Sequence, residues 1–175
     1  MLYNGAQMTK QYQEQFNLID KSRFLHGPWI KEPDAVAWIN YGLPCLIKRI
    51  DVWGHLCGYV GVFKQHPLYK KEQNELENFE QISVHGGVSF CGLNEKNDAL
   101  HFRVNGLKIW WIGFDCHHTY DYAPRYSRDF LEIEQMYGYK STNIEEILKY
   151  RDIEYVKTQV NNLAKQLYDL SEKDI

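Results

Sequence analysis

A chain of 175 residues, 44% hydrophobic and 25% charged, has the length and composition of one globular domain, which excludes a disordered or fibrous class. Its longest apolar runs fall far short of the ~20 residues that cross a bilayer, so no membrane span is expected. The 20 basic and 23 acidic residues give a net charge of -3 with the signs interleaved, which disfavours general nucleic-acid binding.

The first residues, Met-Leu-Tyr-Asn-Gly-Ala-Gln, have neither a basic start nor an apolar h-region, so a cytoplasmic protein is expected. Residues 5 to 24 are polar and helix-permissive around Phe16, Leu18 and Ile19, and His26-Gly27-Pro28 ends them. Glu32-Pro33-Asp34 before Ala35-Val36-Ala37-Trp38-Ile39 reads as a capped short helix finishing near Gly42. Residues 1 to 42 are therefore expected to form an N-terminal helical arm, and 43 to 175 one α+β domain that carries the site.

Four β-rich runs follow, Cys45 to Val52, Leu56 to Phe63, Gln81 to Cys91 and Leu107 to Cys116, each bounded by Gly, Pro, Asn or Asp. They predict a single, mostly antiparallel sheet of four to five strands. His66-Pro67-Leu68-Tyr69 and the charged stretch 70–80 make a loop or exposed helix, and Asn94 to Asp98 makes a turn. Thr142 with Glu145 is a possible capping box for a short helix through Tyr150. Ile153, Val156, Val160, Leu163, Leu167 and Leu170 recur at spacings of three and four, which predicts a long C-terminal helix from Asp152 whose apolar stripe packs on the sheet.

Side chains alternate across a strand. In the last run Trp110, Ile112, Phe114 and Cys116 share an apolar core face, and Trp111, Gly113, Asp115 and His117 share the other. The same alternation in the third run sets Val84, Gly86, Val88 and Phe90 against His85, Gly87, Ser89 and Cys91. Glycine inside a strand costs stability, so Gly87 and Gly113, with Gly58 or Gly61, mark either a close approach by a ligand or a tight internal contact. If the two runs pair, His85 approaches Asp115 and His117, and a carboxylate-oriented imidazole suits a general base, a metal ligand or a structural hydrogen bond.

His66, His85, Asp115, His117, His118 and Asp121 supply enough donors for a divalent metal, although their spacing matches no standard zinc motif. The four cysteines, Cys45, Cys57, Cys91 and Cys116, form no C-x-x-C pair and read as buried reduced thiols. Catalysis by Cys116 is disfavoured because alternation sends it toward the core. Aromatic residues reach 15%, and Trp53, Tyr59, Trp111, Tyr120 and Tyr122 offer rings for stacking while Arg49, Arg103 or Arg125 offer charge for phosphate. No glycine-rich phosphate loop accompanies them.

Gly54-His55-Leu56-Cys57-Gly58-Tyr59-Val60-Gly61-Val62, His66-Pro67, Val84-His85-Gly86-Gly87-Val88-Ser89-Phe90, Trp110 to His118, and Tyr150 to Val156 together resemble a family of small bacteriophage and prophage proteins without a settled activity. The resemblance covers roughly residues 43 to 168. Its pattern of His-Pro, Val-His-Gly-Gly and Gly-Phe-Asp-Cys-x-His falls on His66, His85, Asp115, Cys116, His118 and a nearby Asp121, and it leaves His117 at a variable position, so the chain should leave strand geometry at Cys116. A phage setting implies an accessory, counter-defence role. The leading expectation is a nucleotide-like small-molecule ligand held by Trp53, Tyr59, His66, His85, Trp111, Asp115, His117, Tyr120 and Arg125, in a protein expected to be a homo-oligomer. The alternative is a hydrolase with a divalent metal on His66, His85, Asp115, His118 and Asp121, in which His85, Asp115 and His118 carry the chemistry. A third reading makes the polar cluster only a structural hydrogen-bond network.

Overall fold

The structure is a computed structural model and describes residues 13–76, 81–93, 108–125, 136 and 148–172. Six strands form one sheet: β1 (Gln13–Phe16), β2 (Ala35–Asn40), β3 (Leu43–Arg49), β4 (Leu56–Val62), β5 (Phe90–Leu93) and β6 (Trp110–Asp115). They lie in the order β1-β2-β3-β4-β6-β5, with every neighbouring pair antiparallel. A single helical turn, α1 (Gln73–Leu76), precedes β5, and the long helix α2 (Ile153–Glu172) crosses one face of the sheet. The class is α+β, with more strands than expected. No described helix is long and apolar enough to cross a membrane.

The extra strands come from the segment read as helical. Residues 13–16 and 35–40 are strands, and among the described residues of this segment the helical structure is two 3-10 turns, Lys21–Arg23 and Pro28–Ile30. Five consecutive apolar residues, Ala35 to Ile39, fit a buried strand as well as a helix, because a strand covered on both faces loses its alternation. Here Val36 and Trp38 face the α2 side, whereas Ala35 and Ala37 join a second cluster with Leu46, Ile109 and Trp111. Gly42 ends no helix. Tyr41 and Gly42, with φ of 50° and 73°, form the two-residue turn that closes the β2–β3 hairpin, a geometry needing positive φ at both positions.

The third expected strand is mostly turn. Only Phe90–Leu93 pairs with β6, while Val84 to Gly87 form a reverse turn in which the Gly87 N–H donates to the Val84 carbonyl at 3.1 Å. The two left-handed glycines, Gly86 and Gly87 at 66° and 89°, break the period of two, so Val84 and Val88 pack on the core while Phe90 turns to the opposite face against Tyr59. The capping box at Thr142 and the turn at Asn94 to Asp98 lie outside the described residues.

The α2 stripe is as expected. Ile153, Val156, Val160, Leu163 and Leu167 are buried, and Leu170 is partly buried against the same cluster. That cluster includes Ile47, Leu56, Val60, Ile112, Phe114 and Cys116, so the face of β6 assigned to the core packs toward α2, while Trp111 on the opposite face is buried in the second cluster instead of lying on a polar face. Three of the strand glycines lie under close side-chain contacts, Gly58 on the α2 side and Gly61 and Gly113 beside the second cluster. A methyl at Gly58 would meet Phe114 and Val160 at 2.6 Å, one at Gly61 would meet Ile109 at 2.4 Å, and one at Gly113 would meet the Tyr59 ring at 2.3 Å.

Candidate functional site

Three pieces of chain meet beside the first turn of α2: the Val84–Gly87 turn, the segment that leaves β6 at Asp115, and residues 149–155. The turn carries His85 outward on the residue before Gly86. A side chain at Gly86 would collide with the His118 imidazole at 2.1 Å, so this glycine supplies both the left-handed backbone and the space for His118. On the β6 side a second reverse turn, Asp121 N–H to the His118 carbonyl at 2.9 Å, folds Asp121 back under His118. A short parallel bridge between Asp121 and Lys149, flanked by Tyr122 N–H to Lys149 and Lys149 N–H to Tyr120, brings residue 151 alongside.

Asp121 is the hub. Its Oδ2 accepts from His85 Nε2 at 2.7 Å and from the His118 backbone N–H at 3.1 Å, and it lies 3.3 Å from His118 Nδ1. Its Oδ1 accepts from Arg151 Nε at 2.8 Å. Burial acts to raise the Asp121 pKa, but the hydrogen bonds from Arg151, His85 and His118 outweigh it and hold the carboxyl below the usual carboxylate value. The group is therefore an anion that only accepts, which fixes a proton on His85 Nε2. In the neutral imidazole, His85 Nδ1 is then an acceptor, and it takes the Tyr155 hydroxyl at 3.0 Å. Tyr155 is held in turn by the Arg151 guanidinium, 4.8 Å from its ring centroid.

His85, His118 and Asp121 place one donor atom each within 4.8 Å of one another. Ligands at about 2.0 to 2.2 Å around a tetrahedral cation stand roughly 3.3 Å apart; the His118 Nδ1 to Asp121 Oδ2 separation of 3.3 Å matches this, whereas the 2.7 Å His85 contact is a hydrogen bond that a cation would have to open. These residues fit a two-histidine, one-carboxylate site with positions left open. Tyr155 on the far nitrogen of His85 and Arg151 on the far oxygen of Asp121 are the outer partners that orient such ligands.

No family model matches this chain, and no curated protein or solved structure does.

The other expected site residues are dispersed. His66 is buried, accepts at Nδ1 from the Leu68 N–H at 3.1 Å and so donates from Nε2 to the Leu167 carbonyl at 2.9 Å. Both ring nitrogens are committed, and Leu167 lies about 18 Å along α2 from Tyr155 by helical rise. His66 is thus a tie between the loop after β4 and the helix, and it joins no metal set. Asp115 stops short of His85. Burial works against its charge, yet hydrogen bonds from Ser89 and the His117 backbone keep its pKa low, and its carboxylate lies 3.9 Å from His118 Nδ1.

Trp111 is buried in the second apolar cluster, and Tyr59 packs edge-on to Phe90 at 5.6 Å, so neither lines the His85 cluster. Arg49 is buried among protein partners, Tyr122 stacks on Trp29, and Arg103 lies outside the described residues. Trp53 and His117 do come together, with ring centroids 5.7 Å apart, and the Arg125 N–H donates to the Trp53 carbonyl. Tyr120, 67% exposed, stands between His118 and Asp121 in sequence. Cys116 is buried, and burial pushes its thiol pKa well up, as it does at Cys45 and Cys57, both raised to about 12. None of the three is a nucleophile at neutral pH.

Arg151, Tyr155 and His55 were not among the expected site residues. Arg151 and Tyr155 sit in the Tyr150 to Val156 motif, off the apolar stripe, and that is the only sequence signal they offer. His55 is buried, stacks on His117 at 4.7 Å and 4°, and its Nδ1 has no hydrogen-bond partner among the described residues.

Burial and the neighbouring His117 depress the His55 pKa to about 4. An unfolded histidine titrates near 6.5, so on acidification the unfolded chain takes up a proton that folded His55 refuses. Stability contributed by neutral His55 is complete above pH ~6.5 and is lost as the pH falls toward 4, by about 3 kcal/mol in full. His55→Phe, which keeps a ring in the stack, should flatten the urea midpoint across that window. An unchanged slope refutes the assignment.

Proposed function

We propose that this chain is a metal-dependent hydrolase of a nucleotide or related small molecule, with His85, His118 and Asp121 as metal ligands. The convergence of these three donors from two separate turns carries the reading. A divalent cation at such a site supplies a Lewis acid and lowers the pKa of a bound water. The chain's own groups then divide the remaining work. To hold the cation through Nε2, His85 would take the other neutral tautomer, with its one ring proton on Nδ1 instead of Nε2, so its bond to Tyr155 would reverse and the imidazole would donate to the phenol oxygen. Arg151 compensates the Asp121 charge and holds the carboxylate turned toward the two histidines. Asp115, beside the exposed edge of His118, is the unliganded carboxylate placed to take a proton.

The substrate class rests on the residues next to the triad in the chain, His117 with its Trp53 stack and the exposed Tyr120 ring, which suit a base. The same groups favour a second reading, capture of such a ligand without turnover, as expected of a phage-type accessory protein that removes a host signal.

Equilibration of the purified full chain with zinc and with manganese, followed by metal analysis, tests the centre. One equivalent per chain is expected in the wild type, with a loss of 100-fold or more in affinity for His85→Ala. A wild-type protein that retains no metal at micromolar concentration overturns the reading. Chromatography of a nucleotide panel after incubation separates hydrolysis from capture, since only hydrolysis yields products that a chelator abolishes.

A further inference from the structure

Arg151 is not used up by Asp121. A guanidinium that serves only to neutralise a carboxylate commonly grips both oxygens with two parallel bonds. Here the contact is single, through Nε to Oδ1, and Oδ2 is left to the histidines. The two terminal nitrogens, with four N–H donors, have no hydrogen-bond partner among the described residues. The side chain is 22% exposed, so these donors reach solvent at the rim of the cluster.

Its placement is fixed from three directions. The guanidinium lies over the Tyr155 ring, Nε is held by Asp121, and the backbone behind it is anchored through Tyr150, whose hydroxyl accepts from Arg49 Nη1 at 2.9 Å and donates to Glu32. The preceding residue, Lys149, is bridged on both sides to residues 120 and 122. A long side chain ordinarily loses much rotamer freedom on binding a ligand, and this one has lost it already. The charges agree. Asp115 and Asp121 leave the cluster net negative beside Arg151 alone, and a divalent cation on the triad makes it net positive and short of one anion.

We propose that the terminal nitrogens of Arg151 receive a phosphoryl oxyanion of the substrate, which makes Arg151 the residue that selects anionic substrates at this site. The charge argument rests on the metal reading, whereas the pre-positioned guanidinium does not. A planar two-pronged donor matches two oxygens of one phosphoryl group, and lysine at this position would offer only a point charge.

The test uses inorganic phosphate on the full chain, with and without zinc. In the wild type, phosphate should move the Arg151 guanidinium 15N–1H signals, and titration calorimetry should show binding that is weakened about 10-fold in Arg151→Lys and lost in Arg151→Met. Zinc affinity should change only a few-fold in Arg151→Lys. Phosphate binding that leaves the wild-type guanidinium signals unmoved overturns the proposal, and so does a zinc-loaded wild type that binds no phosphate. Either result leaves the metal centre standing if zinc is bound. Phosphate bound through Arg151 by a protein that takes no zinc refutes the metal centre and keeps the arginine assignment.

Discussion

Asp121→Ala should abolish metal uptake and lower the unfolding free energy by about 3 to 5 kcal/mol, the range for removing one partner of a buried charged network. The carboxylate serves Arg151, His85 and the His118 backbone at once, and alanine leaves all three donors facing a site that is 6% exposed. Asp121→Asn keeps the shape and one acceptor oxygen and should fall between. The pH dependence has a defined sign. The folded carboxyl has a pKa below the ordinary 3.8, so its stabilisation is full above that value and is lost as the pH falls through the folded pKa. The advantage of the wild type over Asp121→Asn in urea denaturation should therefore hold at neutral pH and shrink below about pH 4. A difference that stays constant down to pH 2 argues that the charge of Asp121 is immaterial.

Arg49→Met tests the support behind the site and should cost a similar 3 to 5 kcal/mol. Arg49 is 1% exposed and donates to Asp34 at 3.2 Å, Glu32 at 2.8 Å, the Gly54 carbonyl at 2.8 Å and Tyr150 at 2.9 Å. Methionine fills much of the volume but strands two carboxylates, of which, among the described residues, only Asp34 keeps another cation, Lys21 at 2.9 Å. Because Tyr150 precedes Arg151 and Glu32 also accepts from the Ile153 N–H, weaker metal and phosphate binding should accompany the lost stability. Loss under 1 kcal/mol in chemical denaturation, with unchanged zinc affinity, refutes Arg49 as a buried strut.

The neighbouring His55–His117–Trp53 column bears on how the site is kept in register. His117 and His118 are adjacent and leave the backbone in different directions, one into the ring column and one onto Gly86. Asp115 fixes this divergence by accepting the His117 N–H at 3.0 Å, which ends β6 in a turn. Strict alternation, which set His117 beside Asp115 on one face, does not reach this far, because the strand stops at Asp115.

Local pattern alone determined a good part of this protein. The 3.6-residue period placed α2, since one stripe of a long helix must be buried whatever lies beneath it, and the alternation from Trp110 to Cys116 identified the core face of β6 and removed Cys116 from the chemistry. His85, His118 and Asp121 were legible only as members of a larger set of possible donors that also held His66, Asp115 and His117. Residues 35 to 39 were not legible as a strand, because burial on both faces erases the period of two. Tertiary structure alone decided which candidates meet. His66 carries the same side chain as His85, yet a loop bond and a helix carbonyl consume both of its nitrogens, whereas the Gly86 turn aims His85 at Asp121. Tyr155 and Arg151 reach that cluster from a segment 30 or more residues later in the chain, brought there by the bridge at Lys149. Ligand sets are defined by distances of a few ångströms between residues far apart in sequence, and those distances exist only once the sheet, the two turns and the helix have packed.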